Sequence, residues 1–336
     1  MKNQAIKNEN QVILFKKIHQ SLPDKNSLVY VLSDLLGVGI DATYRRIRGE
    51  KPINYEEAIK LCRYFQISMD SLADIDPDKN RIQCNYTPLN LRNLTDYMLY
   101  IQVLSTNVER TRSIPESEIL MSASDVSVFS LLPYNESTFF KLYSWCKNVY
   151  GFSGGYDEFV KELDTTELLK CYEKIVRNYQ LIPSTEIWTS NTIDTFLRLL
   201  NYHYETGSFN DEKIPLLLCE QLLDLINTLQ CWTEKGTKGA KDVPFKFYVS
   251  ETDLENTFIL FKQQEKTACV IKLFTINSLT TFDERLCREV ENWLNNSAQR
   301  ATLISGASAK ERYRFFTGQR KKIQFLIEKI HLDSEE

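Results

Sequence analysis

The chain has 336 residues, 43% of them hydrophobic and 26% charged, the composition of a globular protein long enough for two or three domains. A net charge of −4 excludes a polycationic coat for nucleic acid, yet the charge is uneven: residues 1–64 carry 11 Lys/Arg against 7 Asp/Glu, and the rest of the chain 30 against 38. No run approaches ~18 apolar residues, so no membrane span is expected, and the polar start "MKNQAIKNENQ" lacks the apolar stretch of a signal peptide.

Residues 1–75 read as a compact set of short helices. "QVILFKKIHQSL" is the first, and "SLVYVLSDLLG" the second, with Leu28, Val31, Leu32, Leu35 and Leu36 at one-face spacing, Ser27 as N-cap and Gly37 as C-cap. "NYEEAIKLCRYF" carries Ala58, Leu61, Cys62 and Phe65 on one face, and Asn54 and Glu57 stand at capping-box spacing. "SMDSLA" reads as a further short helix. The stretch 76–90, with Pro77, Pro88 and weak periodicity, reads as a linker.

Residues 91–240 read as a helical domain. Apolar stripes run through "LRNLTDYMLYIQVLS", "ESTFFKLYSWCKNVY", "TTELLKCYEKIVRNYQ", "TSNTIDTFLRLLNYHYE" and "DEKIPLLLCEQLLDLINTLQCW", without a fixed repeat length. Residues 241–336 change texture. "FKFYVS", "NTFILFKQ" and "TACVIKLFTI" are β-branched and aromatic, "ATLIS" is a further strand, and two helical segments complete a small α+β unit. The expected fold class is therefore mainly α: an N-terminal helical domain, a helical middle and a small C-terminal α+β unit.

The segment "GVGIDATYRRIRGEKP", residues 37–52, carries three arginines and a lysine directly after a tight turn. At 100° per residue, a helix over 40–48 places Ile40, Tyr44 and Ile47 on one side, where they would pack inward. Ala42, Arg45 and Arg46 then fall on the opposite side, with Asp41 and Thr43 on the flanks and Arg48 close to the packed side. Two helices joined by a short Gly-containing turn make a helix-turn-helix. An outward arginine on its second helix suits the major groove, because the guanidinium fork reaches guanine O6/N7 or clamps phosphate.

The run "LSDLLGVGIDATYRRIRGEKPINYEEAIKLCRYFQISMDSL" resembles the Cro/lambda-repressor type of helix-turn-helix, the Xre family. The likeness rests on Leu36-Gly37-Val38, on Arg48-Gly49 with Lys51-Pro52, on the helix around Ala58-Leu61-Phe65, and on Ile67-Ser68-Met69-Asp70-Ser71-Leu72. It covers about 60 residues. Gly39 and Ile40 stand where the family has a small polar residue and, midway along the recognition helix, an Ile or Val, a role Tyr44 takes one position later; Leu28-Val29-Tyr30 replaces the frequent Gln, which leaves the register of base contacts open by about one residue. The resemblance implies DNA contacts from Asp41, Ala42, Thr43, Arg45, Arg46, Arg48 and Lys51. The whole chain is similar to large bacterial one-component regulators. That likeness implies a sequence-specific transcriptional regulator in the cytoplasm, bound to double-stranded DNA as a homodimer, whose C-terminal body dimerises or senses a small-molecule or protein effector. The alternatives are an interaction or scaffold protein that docks through its head, and an enzyme with a DNA-binding head.

Other motifs carry less. The eight cysteines form no C-x-x-C pair and the three histidines lie far apart, so neither a metal site nor a catalytic constellation is expected, and no cofactor. "GFSGGYDE" at 151–158 follows a helix and reads as a loop, not a phosphate cradle. The turn Ser305-Gly306-Ala307-Ser308 before a helix admits an anion, but small residues serve such turns on steric grounds alone. His203 reads as an ordinary surface or core histidine. Phe139, Phe140, Tyr143, Trp145 and Tyr150 read mostly as core, or as the wall of a ligand pocket.

Overall fold

The computed structural model describes residues 9–21, 25–65, 67, 69, 72, 82–86, 89, 95–264, 266–274 and 276–335. The chain divides into two compact units, a head Met1–Arg81 and a body Ile82–Glu336.

The head contains α1 (Glu9–Ser21), α2 (Lys25–Leu36), α3 (Ile40–Ile47) and α4 (Tyr55–Tyr64). Its core gathers Leu14, Phe15 and Ile18 of α1, Leu28 and Leu32 of α2, and Leu61 and Cys62 of α4, with Leu72 beyond. The expected spacing in α2 and α4 is what builds this core. α2 begins at Lys25, two residues ahead of the expected cap at Ser27. The "SMDSLA" segment lies largely outside the described residues, as does much of 76–90.

The body is a mixed α/β unit. Among the described residues a nine-stranded sheet runs in the order β1 (Asn85–Tyr86), β8 (Ser278–Thr281), β7 (Thr267–Lys272), β6 (Phe258–Lys262), β2 (Glu118–Ala123), β3 (Ser184–Thr189), β5 (Val243–Ser250), β4 (Thr237–Lys238), with β9 (Thr302–Leu303) also on β5. β2, β3 and β5 are parallel, and the remaining pairs are antiparallel. Side chains alternate across the sheet. Ile119, Met121, Trp188, Phe245 and Phe247 enter a large core with α5 (Thr95–Ser113), α7 (Asn135–Tyr150), α9 (Thr165–Tyr179), α10 (Asp194–Glu205), α11 (Lys213–Lys235) and α13 (Ala309–Glu335). Leu120, Ile187, Leu260 and Cys269 face the other way, against Cys287, Val290, Leu294 and Ala298 of α12 (Glu284–Arg300). Two short helices, α6 (Val128–Leu131) and α8 (Tyr156–Lys161), complete the set.

This arrangement overturns the expected mainly α fold with a small C-terminal α+β unit. The supposedly helical middle supplies β2 and β3, two adjacent interior strands of the sheet. All but one residue of each, Glu118 in β2 and Thr185 in β3, is buried, so neither shows the polar–apolar alternation of a half-exposed strand. "EILMSA" also holds Met, Ala and Glu, which favour helix when no partner strand is considered. The residues on either side of position 240 therefore share one sheet.

Candidate nucleic-acid interface

Both ends of α3 are fixed by left-handed glycine turns. After α2, Gly37 adopts φ +63°, and Val38 N–H donates to Ser33 O (3.1 Å) while Gly37 N–H donates to Asp34 O (3.2 Å). After α3, Gly49 adopts φ +75°, with Glu50 N–H donating to Arg45 O (2.9 Å) and Gly49 N–H to Arg46 O (3.0 Å). Each is the paired 6→1 and 5→2 ending that a residue without Cβ strain adopts.

The segment after α3 is tied down by Gln11, only 4% exposed. Its Nε2 donates to Arg46 O (2.7 Å) and Lys51 O (2.9 Å), and its Oε1 accepts from Ile53 N–H (3.0 Å). One side chain from α1 thus binds three backbone groups, one in the last turn of α3 and two in the α3–α4 connection.

The rotation of α3 about its axis is set by Arg46. Its guanidinium turns inward and meets Glu57 at 2.8 Å, the two side chains being 7% and 14% exposed. Glu57 also closes the capping box of α4: Asn54 N–H donates to its Oε2 (2.9 Å), and its own N–H donates to Asn54 Oδ1 (2.8 Å). Burial pushes the Glu57 carboxyl up, but the Arg46 and Asn54 hydrogen bonds and the nearby Arg46 and Lys51 charges outweigh it and hold the group below its usual range. Thr43 is fully buried beside Arg46, its hydroxyl donating to Gly39 O (3.2 Å).

These contacts correct the expected facing of α3. Ile40 and Tyr44 do not pack inward; they are 42% and 45% exposed. The inward set is Thr43, Arg46 and Ile47, a rotation of roughly 70° on the helical wheel. Polar Thr43 and charged Arg46 occupy inward positions, so binary patterning pointed the wrong way. Of the seven residues read as DNA contacts, Asp41, Arg45, Arg48 and Lys51 are exposed, Ala42 is half-buried, and Thr43 and Arg46 are buried. The outward face is Ile40, Asp41, Tyr44, Arg45 and Arg48, spaced i, i+1, i+4, i+5 and i+8. Sequence reasoning missed Gln11 altogether. It also missed Glu50, whose carboxylate lies 2.9 Å from Arg48 and 3.8 Å from Arg45.

The body's notable polar groups are internal. His203, 1% exposed, sits between Ser208 Oγ and Ser144 Oγ, each 3.2 Å from a ring nitrogen, and burial with the nearby Lys147 charge depresses its pKa to about 4. Glu186 accepts from Tyr179 O–H and from Trp188 Nε1–H (2.8 Å), and burial raises its carboxyl. Asp125 holds both Lys141 (2.6 Å) and Lys272 (3.0 Å). In the Ser305–Ser308 turn two amides are already engaged, Gly306 N–H donating to Thr233 O and Ala307 N–H to Ser305 O. Phe139, Phe140, Tyr143 and Trp145 are core, while Tyr150 is 39% exposed. An open cleft of about 460 Å³ lies between the loop after β5 and α12, with Leu254, Phe258, Val290 and Trp293 among its lining. Among the described residues no group of three His, Cys, Asp or Glu side chains is placed to hold a metal ion, and no helix is long and apolar enough to cross a membrane.

In comparisons with known proteins, no family model, no curated protein and no solved structure matches the chain.

Proposed function

We propose that the head binds double-stranded DNA through the outward face of α3 and that the chain is a sequence-specific transcriptional regulator. The observation that carries this reading is the display of Tyr44, Arg45 and Arg48 on a short helix whose two ends and rotation are all fixed by the head itself. Preorganisation of this kind lowers the cost of ordering a reading helix in a groove. The chain would act as a homodimer, two heads on two half-sites of a palindromic operator, with the body carrying self-association and the response to a small-molecule or protein effector. A reducing cytoplasm fits the eight cysteines, all of them free.

A second reading has its own support. Tyr30, Tyr55 and Tyr64 are 65%, 70% and 58% exposed on the same small head, and exposed tyrosine is enriched where proteins dock. The head would then recruit a protein partner.

One experiment separates the two. Sites are selected from random duplex DNA with the full chain, and the affinity for the best site is followed against salt. A regulator gives enrichment and a linear fall of log K with log salt. Absence of both removes the DNA reading and leaves protein docking.

A further inference from the structure

The geometry points to Arg45 and Arg48 as a two-arginine clamp for one backbone phosphate of duplex DNA, and to Glu50 as a built-in competitor that occupies the clamp in the free protein. The inference rests on the proposed DNA-binding reading and adds to it a division of labour along α3.

Two guanidinium groups converge on one carboxylate. Arg48 Nε lies 2.9 Å from Glu50 Oε1 and its Nη2 lies 3.4 Å from Oε2, the two-point geometry of a fork on an anion. Arg45 Nε approaches the same Oε2 from the preceding turn of the helix, at 3.8 Å. A phosphodiester offers the same chemistry, two oxygens sharing one negative charge, so the Glu50 carboxylate marks where a phosphate would sit. The three side chains are 60%, 61% and 49% exposed, so exchanging one anion for the other strips little water and breaks only solvent-screened contacts. The backbone at position 50 is tied into the turn: its N–H closes the 6→1 bond to Arg45 O beside Gly49. The carboxylate is thus presented to the arginines by the turn, and only its side chain need swing aside.

With Glu50 in place, the cluster brings one net positive charge to DNA instead of two. Its cost falls equally on every sequence, because phosphate carries no base identity. Base reading then falls to Ile40, Asp41 and Tyr44 in the first turns of α3, the end of a recognition helix that meets base edges. Glu50 would hold down binding to random DNA and leave the choice among sequences to that end.

The test uses the full chain, a selected operator duplex and a random duplex of equal length, each titrated with salt. E50Q is expected to tighten both duplexes alike, by about 3- to 10-fold near 0.1 M salt, and to steepen the salt slope by about 0.9. In a chain that also carries R45A and R48A, E50Q is expected to change neither affinity. The clamp is overturned if E50Q leaves affinity unchanged or weakens it. It is overturned equally if the gain survives in the R45A/R48A chain, since Glu50 would then repel DNA on its own, or if the gain is confined to the operator. A parent chain that binds neither duplex removes the DNA reading together with the clamp. A parent that binds with a salt slope while E50Q fails removes the clamp alone.

Discussion

Arg46 and Glu57 form an ion pair at 2.8 Å that ties α3 to the first turn of α4, both side chains almost fully withdrawn from water. The pair turns an arginine that would otherwise join the outward face into a fastener for the helix. Arg46→Ala should leave a shielded carboxylate with only Asn54 as partner and weaken the head by about 2–3 kcal/mol. The expected sign with pH follows from the lowered Glu57 carboxyl. Its contribution is complete above the usual value of 4.5 and is lost as the pH falls through the folded value. Hydrogen exchange of the α4 amides in the full chain reads both effects. Unchanged protection in Arg46→Ala would show that the pair does not hold α3.

Gln11 is expected to matter as much as a core residue, despite being polar. Replacing it by Ala leaves Lys51 O and Ile53 N–H without their partner in a partly shielded loop, and leaves Arg46 O with Gly49 N–H alone. The cost should be about 2–3 kcal/mol. Gln11→Glu keeps the acceptor for Ile53 and sets a carboxylate against two carbonyls, so it should do no better than Ala. The readout is exchange protection at Ile53 and in α3, where parent-like values for Gln11→Ala would contradict the role.

The head was legible where hydrophobic spacing does the folding. Leu28, Leu32, Leu61 and Cys62 pack as their period requires, Gly37 takes the left-handed turn, and Asn54 and Glu57 close the capping box. The facing of α3 was not legible, because its inward positions include Thr43 and Arg46. A buried arginine declares itself only through a partner, and Glu57 is eleven residues away across a turn. Gln11 is further still, in another helix. In the body, β2 and β3 hide for a different reason: a short strand buried on both faces has no two-residue rhythm to read. Strands β5, β6 and β7, richer in Phe, Val and Ile, were recognised from their composition.

His203 should make the body acid-sensitive. In the unfolded chain its imidazole takes up a proton near 6.5, and in the folded body only near 4. Between these values the unfolded state binds more protons, so stability rises with pH across the window and falls on acidification. A shift of this size corresponds to about 3 kcal/mol at most. His203→Gln, which keeps polar atoms near Ser144 and Ser208, should flatten the dependence between pH 4 and 6.5. Denaturant melts followed by the tryptophans, all four of which lie in the body, test it. The same slope in parent and variant would assign the acid sensitivity elsewhere.

Tyr44 and Leu32 should separate binding from folding. Leu32 is fully buried in the head core, so Leu32→Ala should cost about 2–5 kcal/mol of stability. Tyr44 is 45% exposed on the outward face of α3, and alanine favours helix, so Tyr44→Ala should change stability by less than about 1 kcal/mol. Its cost should appear in DNA binding instead. Loss of an aromatic contact at a base edge or sugar should weaken operator binding by about 1–2 kcal/mol and leave the salt slope as it was, because no charge is removed. Arg48→Ala gives the opposite pattern, with weaker binding on every duplex and a slope shallower by about 0.9. Exchange protection across α2–α4 and paired salt titrations measure all three variants. If Tyr44→Ala unfolds the head as readily as Leu32→Ala, α3 packs through Tyr44 and the outward face must be redrawn around Arg46.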